Sequence, residues 1–513
     1  MSARLSLTSL LSESADRFPD RTALVLGDTR LPYAAVWDQA RRYAAVLRDR
    51  GVGPGDRVAL LLPNVPHFAF AYYGALSLGA AVVPVHALLV AEEIRYVLED
   101  SAAKVLVTAA PLLGEAAKGA ELAGVPLLSV LDGGDAEVDR IDVLAQSADP
   151  IAAAVPRRPE DEAVILYTSG TTGRPKGAVL THDNMVWNAT VSAFDTVRLE
   201  PDDVMLAVLP LFHSFGQTVV LNAGFRVGAT LVLMPRFEPA AALQLLADEG
   251  VTVFAGVPTM YVALLQAAAA SDTRPNLRLA VSGGASIPVA VIDKVKEVFG
   301  VDIYEGYGLS ETSPVASFNQ AWYGRKPGSV GRAIWGVEVE VAKADLEGAI
   351  ELLGPDEVGE IVIRGHNVFA GYLNKPDATA AVMVDGWFRT GDLGTKDTDG
   401  FVFIVDRKKD LIIRGGFNVY PREVEEALAR HEDVVQVAVV GLPDDTYGEE
   451  ICAVVVLREG ATVTAEGLRE WSQQHLGKHK YPREVRFVDT LPLGPSGKIL
   501  KREIVRTLTD SAG

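Results

Sequence analysis

The stretch AVILYTSGTTGRPKG runs from Ala163 to Gly177. A compact apolar run, Ala163 to Leu166, leads into a loop that carries Gly170, Gly173 and Gly177, the hydroxyl side chains of Thr168, Ser169, Thr171 and Thr172, and the ammonium of Lys176. Such a loop suits phosphate. Glycines let backbone N–H groups converge on an anion, hydroxyls add donors, and a lysine adds a compact positive charge. It is not a Walker A loop, which needs G-x-x-x-x-G-K-[ST] with the hydroxyl on Mg2+. Here Gly170 and Gly173 are too close, and Lys176 is followed by Gly177. The kinase and P-loop ATPase readings therefore fail on spacing. Taken alone, the loop also reads as a Ser/Gly-rich surface hairpin.

The chain has 513 residues, more than one ordinary core serves, so two or more domains are expected. Hydrophobic residues at 49% and charged residues at 22% fit a soluble globular protein. The formal net charge of −19 argues against nucleic acid as a partner, which would need a basic footprint. The one cysteine, Cys452, excludes a disulfide within the chain and fits a reducing cytoplasm. Near the N-terminus the apolar part is short and broken by Ser and Thr, unlike a signal peptide; Leu5 to Arg17 reads as a small amphipathic helix. The longest apolar stretch, near Gly79 to Val90, is interrupted by Pro84 and His86 and is too short to span a bilayer, so no integral membrane segment is expected.

Apolar strand-like runs at Val58–Leu62, Ala81–Val83, Lys104–Val107, Ala229–Leu233 and Leu279–Val281 alternate with helical periods at Tyr33–Arg48, Ala240–Glu249 and Ile287–Phe299. That alternation predicts α/β sheets with helices on both faces. After about Gly331 the segments become short and β-rich, as in Glu338–Val341 and Gly359–Ile363, with the turn chemistry of a small barrel or sheet. A third unit begins near Asp406. It reads as a helix at Pro421–His431, strands at Val434–Val440 and Ile451–Leu457, and a helix at Ala465–Leu476. Its late segment, Lys478 to Arg506, holds eight Lys/Arg against three Asp/Glu, a local reversal that suggests an anionic ligand or a solvated basic face.

Four further stretches bear on function: YEGYGLSET (Tyr304–Thr312), GWFRTGDLG (Gly386–Gly394), DRKKDLIIRGGFNVYPREVE (Asp406–Glu425) and GPSGKILKRE (Gly494–Glu503). With the hydroxyl-rich loop, in this order, they resemble the acyl-adenylate-forming superfamily of acyl-CoA synthetases, luciferases and peptide-synthetase adenylation domains. The resemblance covers nearly the whole chain and is closest to bacterial medium- and long-chain fatty acyl-CoA ligases. It implies an α/β fold with a large N-terminal domain, residues 1–405, made of two α/β sheets and a small β-barrel-like subdomain. A small mobile α+β C-terminal domain, residues 406–513, would follow a hinge near 406–409, with Lys409 at the hinge position.

The resemblance also implies a two-step reaction. A carboxylate attacks the α-phosphate of ATP, giving acyl-AMP and pyrophosphate; a thiol, usually that of coenzyme A, then displaces AMP. Carboxylate and triphosphate repel, so the protein must supply positive charge, alignment and Mg2+ rather than an activated serine or cysteine. By motif matching, Thr168, Ser169, Gly170, Thr171, Thr172, Gly173 and Lys176 would cradle the β- and γ-phosphates. Ser310 would touch the α-phosphate, and Glu311 would bind Mg2+, a hard cation that prefers oxygen. Tyr307, followed by Gly308, would stack on adenine, with Gly283, Gly284 and Ala285 on its other side. Asp392 would accept both ribose hydroxyls, Arg407 would also meet the ribose, and Lys498 would bridge carboxylate and α-phosphate. His213 would gate the acyl pocket. Taken singly, Glu311 and Asp392 could equally be exposed loop acids, and Lys498 one member of a basic cluster.

In amino-acid-activating members an aspartate follows the phenylalanine of the "PLFHSFG" stretch; here Phe212 is followed by His213, which disfavours an amino acid. The expected pocket segments, Phe212–Leu221, Val253–Tyr261 and Val315–Asn319, contain no Lys, Arg, Asp or Glu. A second substrate charge would lie there unpaired, at a cost of several kcal/mol. The expected acid is therefore monocarboxylic with an apolar tail, a medium- to long-chain fatty acid or else an aromatic acid, held by Phe215, Val257, Tyr261, Gly283 and Val315. Fatty acyl-AMP ligases serving carrier proteins usually carry an insertion near the domain junction. None is seen at Asp406–Gly416, so coenzyme A is the expected thiol, its arm passing Gly415 and Gly416. Ile413 replaces the lysine of luciferase-like members. A non-catalytic sensor of acyl-AMP or CoA is the reading from another class; retention of the phosphate loop and Lys498 speaks against it. The expected partners are ATP, CoA and the acid, with a homodimer compatible with the sequence.

Overall fold

The computed structural model describes residues 5–131, 138–168, 174–320, 322–494 and 498–510. The apolar run that opens the phosphate loop is the strand Glu162–Thr168, buried through Ala163–Leu166. It lies inside a seven-stranded sheet. On one side it runs parallel to Ala81–Pro84, followed by Arg57–Leu61, Val105–Ala109 and Leu127–Val130. On the other it turns back antiparallel on Lys176–Thr181, with Thr168 opposite Lys176. A second, nine-stranded sheet has a parallel centre: Thr230–Leu233, Val204–Ala207, Val253–Gly256, Leu279–Ser282 and Ile303–Gly308. The continuous apolar runs of these strands are what a sheet buried on both faces requires.

One hydrophobic core joins the two sheets, bringing Val82 and Val164 of the first together with Leu231, Phe254 and Ala280 of the second. The helix Pro66–Ser77 is buried on nearly every face, from Phe68 to Ser77, as expected of an element enclosed within a large core. Gly74 allows it to approach Tyr33–Asp49: a Cβ there would stand 2.9 Å from the Ala40 carbonyl oxygen. Buried Asn64 stitches the layers together. Its side-chain amide donates to the carbonyls of Ala207 and Leu209 at 2.8 and 2.9 Å, and its oxygen accepts Leu211 N–H at 3.0 Å.

The β-rich segment after Gly331 forms an antiparallel sheet of Val337–Ala342, Gly359–Gly365, Trp387–Lys396, Met383–Val384 and Val402–Arg407. Of the two expected forms, barrel or sheet, its pairing path is that of a sheet. The chain then enters a further, mixed sheet built on the long hairpin Val434–Asp444 with Gly448–Leu457, whose second strand also pairs antiparallel with Ile412–Arg414 and parallel with Glu484–Phe487. Helices Pro421–Leu428 and Ala465–His475 contribute to one face of its core, through residues such as Leu428 and Leu468, and Lys501–Asp510 covers the other through Ile504. The first helix is shorter than the expected Leu5–Arg17, covering Ser9–Arg17. Leu7 instead gives its N–H to His182 Nδ1 at 3.1 Å, a tertiary bond that holds the preceding residues out of the helix. Among the described residues, no helix is long and apolar enough to cross a membrane.

Arg389 and Glu360 form an ion pair inside the third sheet, with side chains only 6% and 5% exposed. Removing Arg389 leaves the buried Glu360 carboxylate with Lys408 Nζ, 3.9 Å away, as its remaining counter-charge. Arg389→Met is expected to lower stability by about 3–5 kcal/mol, and Arg389→Met with Glu360→Met to recover at least half of that loss. Urea denaturation midpoints of the single and double variants check this.

Candidate active site

A cavity of about 1710 Å³ opens at the carboxyl ends of the parallel strands of both large sheets and is closed over by residues of the C-terminal domain. Ligand crevices at strand carboxyl ends are the rule in α/β sheets. Every expected site residue among the described ones lines it, except Tyr261, Gly415 and Gly416. Ser169, Gly170, Thr171, Thr172 and Gly173 lie outside the described residues.

At one end Asp392 is buried and doubly engaged. Tyr307 donates its hydroxyl to Oδ2 at 2.7 Å, and Arg407 Nε stands 3.3 Å from Oδ1. Arg407 is brought there by pairing, because it lies opposite Asp392 in the ladder. The bend that offers Asp392 is fixed from below: Glu360 accepts Gly391 N–H at 3.0 Å while holding Arg389. Gly308, next to Tyr307, has to be glycine, since a Cβ would overlap the Pro314 carbonyl oxygen. Gly283 is pressed close to Phe215, whose ring would stand 3.3 Å from an added Cβ.

Further along, Glu311 is buried in the short 3-10 turn Ser310–Thr312. Its Oε1 accepts the Tyr372 hydroxyl at 2.9 Å and the Thr168 hydroxyl at 3.4 Å. Lys176 stands with its ammonium 5.0 Å from the Tyr372 ring centre, a cation–π contact, and has no ion pair among the described residues. A Mg2+ ion commonly takes one or two carboxylates and completes its shell with water and substrate phosphate. Glu311, with the Thr168 hydroxyl beside it, fits that demand.

At the other end of the cavity, Asn64 fixes the Leu209–Leu211 backbone, and His213 follows. Its ring is held down to a pKa of about 4 by burial, then by His86 and Lys498. Phe215, Val257 and Val315 add apolar wall, as expected. Tyr261 does not. Its hydroxyl donates to the Val281 carbonyl at 2.8 Å and its ring packs edge-on against Phe254, so the side chain is spent inside the core.

Lys498 reaches the cavity from the C-terminal domain, its carbonyl accepting Gly494 N–H at 2.6 Å while Leu493 bridges Ile499. The ammonium has no carboxylate within 4 Å among the described residues. Burial first, and then Arg407, push its pKa down to about 8. Lys409, exposed, lies two residues beyond the strand Val402–Arg407 and also lines the cavity. Gly415 and Gly416 lie away from it. With φ of +56° and +83° they form the two-residue turn between Ile412–Arg414 and Phe417–Val419, a geometry that favours glycine without reference to any ligand.

The AMP-binding enzyme family matches residues 11–373, and the AMP-binding enzyme C-terminal domain matches residues 423–498. The chain belongs to the AMP-binding enzyme family. It is 36% identical to a long-chain-fatty-acid–CoA ligase of Bacillus subtilis, across 99% of this chain and 95% of that one. It is 39% identical to a feruloyl-CoA synthase of an Amycolatopsis species, across 95% and 96%. Crystalline MatB of Rhodopseudomonas palustris with ATP bound superposes with a TM-score of 0.90 at 33% identity, covering 99% of this chain and 100% of that one; the apo form of MatB gives 0.79.

This member of the AMP-binding family is thus an AMP-forming acyl-CoA ligase, an acid–thiol ligase using ATP and CoA. Several residues of its site escape a reading of the motifs. Tyr372 lies in GYLNKPDATA, which carries no chemical flag, and Asn64, Arg389 and Glu360 act only through backbone they hold. His86 was visible as a polar break at the end of an apolar run. Asp392→Ala removes charge-assisted hydrogen bonds worth about 1.5–3 kcal/mol each. It is expected to raise the KM for ATP more than about tenfold while changing the equilibrium affinity for free acid less than about threefold. Steady-state kinetics and direct acid titration measure the two; unchanged KM and kcat for ATP would remove Asp392 from the nucleotide site.

Proposed function

We propose that this ligase activates a medium- to long-chain fatty acid and that the residues gathered at the cavity divide the work as follows. Thr168 and Lys176 meet the β- and γ-phosphates, Ser310 the α-phosphate, Asp392 and Arg407 the ribose, and Tyr307 and the Gly283–Ala285 turn the adenine. Glu311 would hold Mg2+ together with phosphate oxygens, the ion neutralising phosphate charge. Lys498 lies between acid and α-phosphate. A carboxylate oxygen of the acid attacks the α-phosphorus, pyrophosphate leaves, and Lys498 stabilises the negative charge that the two reactants bring together. CoA thiolate then attacks the acyl carbonyl and AMP leaves.

The observation that carries the fatty-acid reading is the wall beyond His213. It is built from Phe215, Val219, Val257, Val281, Val315 and Phe318, with no charged side chain among these wall residues. Such a wall rewards methylene groups and penalises a second carboxylate. The aromatic-acid reading keeps its own support in the feruloyl-CoA synthase likeness and in the two phenylalanine rings. The better match to ATP-bound than to apo MatB supports reading this arrangement as the adenylating one. The second half-reaction then needs the C-terminal domain to turn at Lys409, away from the arrangement in which the Gly415–Gly416 turn lies outside the cavity. A reducing cytoplasm suits buried Cys452.

AMP release with CoA across acids of increasing length tests the substrate. Each methylene buried adds roughly 0.8 kcal/mol, so kcat/KM should climb steeply from butyrate to decanoate, with malonate and amino acids far below. A maximum at ferulate or benzoate would transfer the assignment to an aromatic acid.

Lys498 acts as a cation, so its proton is present below pH 8 and lost above it. In the free enzyme, kcat/KM for ATP in the adenylation half-reaction should therefore fall as pH rises through about 8. Lys498→Ala should lose on the order of 10²–10³-fold in pyrophosphate release while retaining thioester formation from supplied acyl-AMP. Equal loss in both steps, with an unchanged melting curve, would contradict the division of labour.

A further inference from the structure

Two histidines face the cavity and are held in the same way. His86 follows the strand Ala81–Pro84, at the carboxyl edge of the seven-stranded sheet; His213 follows the strand Val204–Ala207 of the nine-stranded one. In each ring Nδ1 accepts the backbone N–H two residues further on, Leu88 at 3.0 Å for His86 and Phe215 at 3.2 Å for His213. A ring nitrogen that accepts does not carry the proton, so the neutral ring has its hydrogen on Nε2. Neither Nε2 has a hydrogen-bond partner among the described residues. The His86 ring packs on Phe212, the chain neighbour of His213, with centroids 4.8 Å apart. Burial lowers the pKa of His86, and His86 and Lys498 both disfavour a proton on His213. At neutral pH the pair is therefore two uncharged N–H donors beside one lysine.

We propose that His86 is a second acid-binding residue, whose Nε2–H donates, beside that of His213, to the carboxylate that Lys498 neutralises. The inference rests on the acyl-adenylating reading of the site. A neutral donor has a physical advantage over a cation here. Lys498, with no carboxylate within 4 Å among the described residues, already supplies the positive charge here, and a second cation on His213 or His86 would be repelled by it. An uncharged N–H orients the carboxylate and leaves one oxygen free to attack, whereas a full ion pair on each side would hold the nucleophile back. The contact also links the sheets: one donor comes from each, so the acid end is defined only when both strand edges meet.

The test uses decanoate, ATP and the full chain, with pyrophosphate exchange reporting adenylation. Wild-type enzyme that fails to exchange with any fatty acid overturns the parent reading, not this one. Given wild-type exchange, His86→Phe keeps a ring against Phe212 but loses the N–H. It should lower kcat/KM for decanoate roughly 10- to 100-fold, the size of one lost hydrogen bond to an ion. Its KM for ATP should move less than about twofold, and thioester formation from supplied decanoyl-AMP should stay close to wild type. His86→Gln, whose amide nitrogen can reach the Nε2 position, should recover activity to within about threefold of wild type. Competitive inhibition by 1-decanol, which has the tail without the carboxylate, should be unchanged in both variants. His86→Phe exchanging like wild type overturns the proposal. So does weakened decanol binding, which makes the ring a packing element, and so does a loss confined to the KM for ATP, which places the donor on a phosphate. If His86→Phe does not fold, decanoate titration of His86→Gln and His86→Ala decides: equal affinities overturn the proposal, and tighter binding by His86→Gln supports it.

Discussion

Arg389 and Glu360 are nearly shut off from water, and the geometry of the Asp392 end of the cavity hangs on their meeting. Glu360 gives one oxygen to Arg389 and the other to Gly391 N–H, while Arg389 also reaches the Leu346 carbonyl. The bend at Gly391 is thereby fixed, and Asp392 is presented to the cavity with Arg407 across the ladder from it. The Gly391 carbonyl also accepts Lys408 N–H at 2.9 Å, so the same bend anchors the chain as it leaves for the C-terminal domain. A charge pair that would break even against apolar residues as a matter of stability is better explained by what it positions.

The cations of the cavity are kept available. Lys498 has lost much of its hydration without gaining a carboxylate among the described residues, and Lys176 rests over a tyrosine ring. In a chain of net charge −19, carboxylates are plentiful, and most surface lysines and arginines of the described residues have one. Withholding carboxylates from these two lysines leaves their field free for an incoming polyanion, which a paired cation would meet already half-neutralised. The histidines add donors without adding charge. The cavity thus combines cations without a carboxylate partner and an apolar wall of Phe215, Val257 and Val315.

Local signals served well where one property dominated. The continuous apolar runs became buried strands, with Ala81–Pro84 and Leu279–Ser282 close to their expected limits, and the helices Tyr33–Asp49 and Val289–Phe299 followed their 3.6-residue periods. Errors came where a residue had two plausible employers. Tyr261 carries a hydroxyl and lies in a segment expected to form the pocket, yet the backbone carbonyl of Val281 claimed it. Leu7 is helix-competent but is drawn out by His182, 175 residues away.

The sequence by itself determined the family, the reaction class and most of the motif residues that line the cavity, because those depend on residue types at fixed spacings within short stretches. It also determined that the segments Phe212–Leu221, Val253–Tyr261 and Val315–Asn319 carry no charge, a property of composition. Only the tertiary structure decided which side chains face the cavity and which support it from behind. Asn64, Glu360, Arg389, Tyr372 and His86 come from separate strands and loops whose relative placement no local pattern encodes. Hydrogen bonds and ion pairs between elements far apart in the chain are set by how two sheets and a shared helix layer pack, and that packing is the collective outcome of burying one common core.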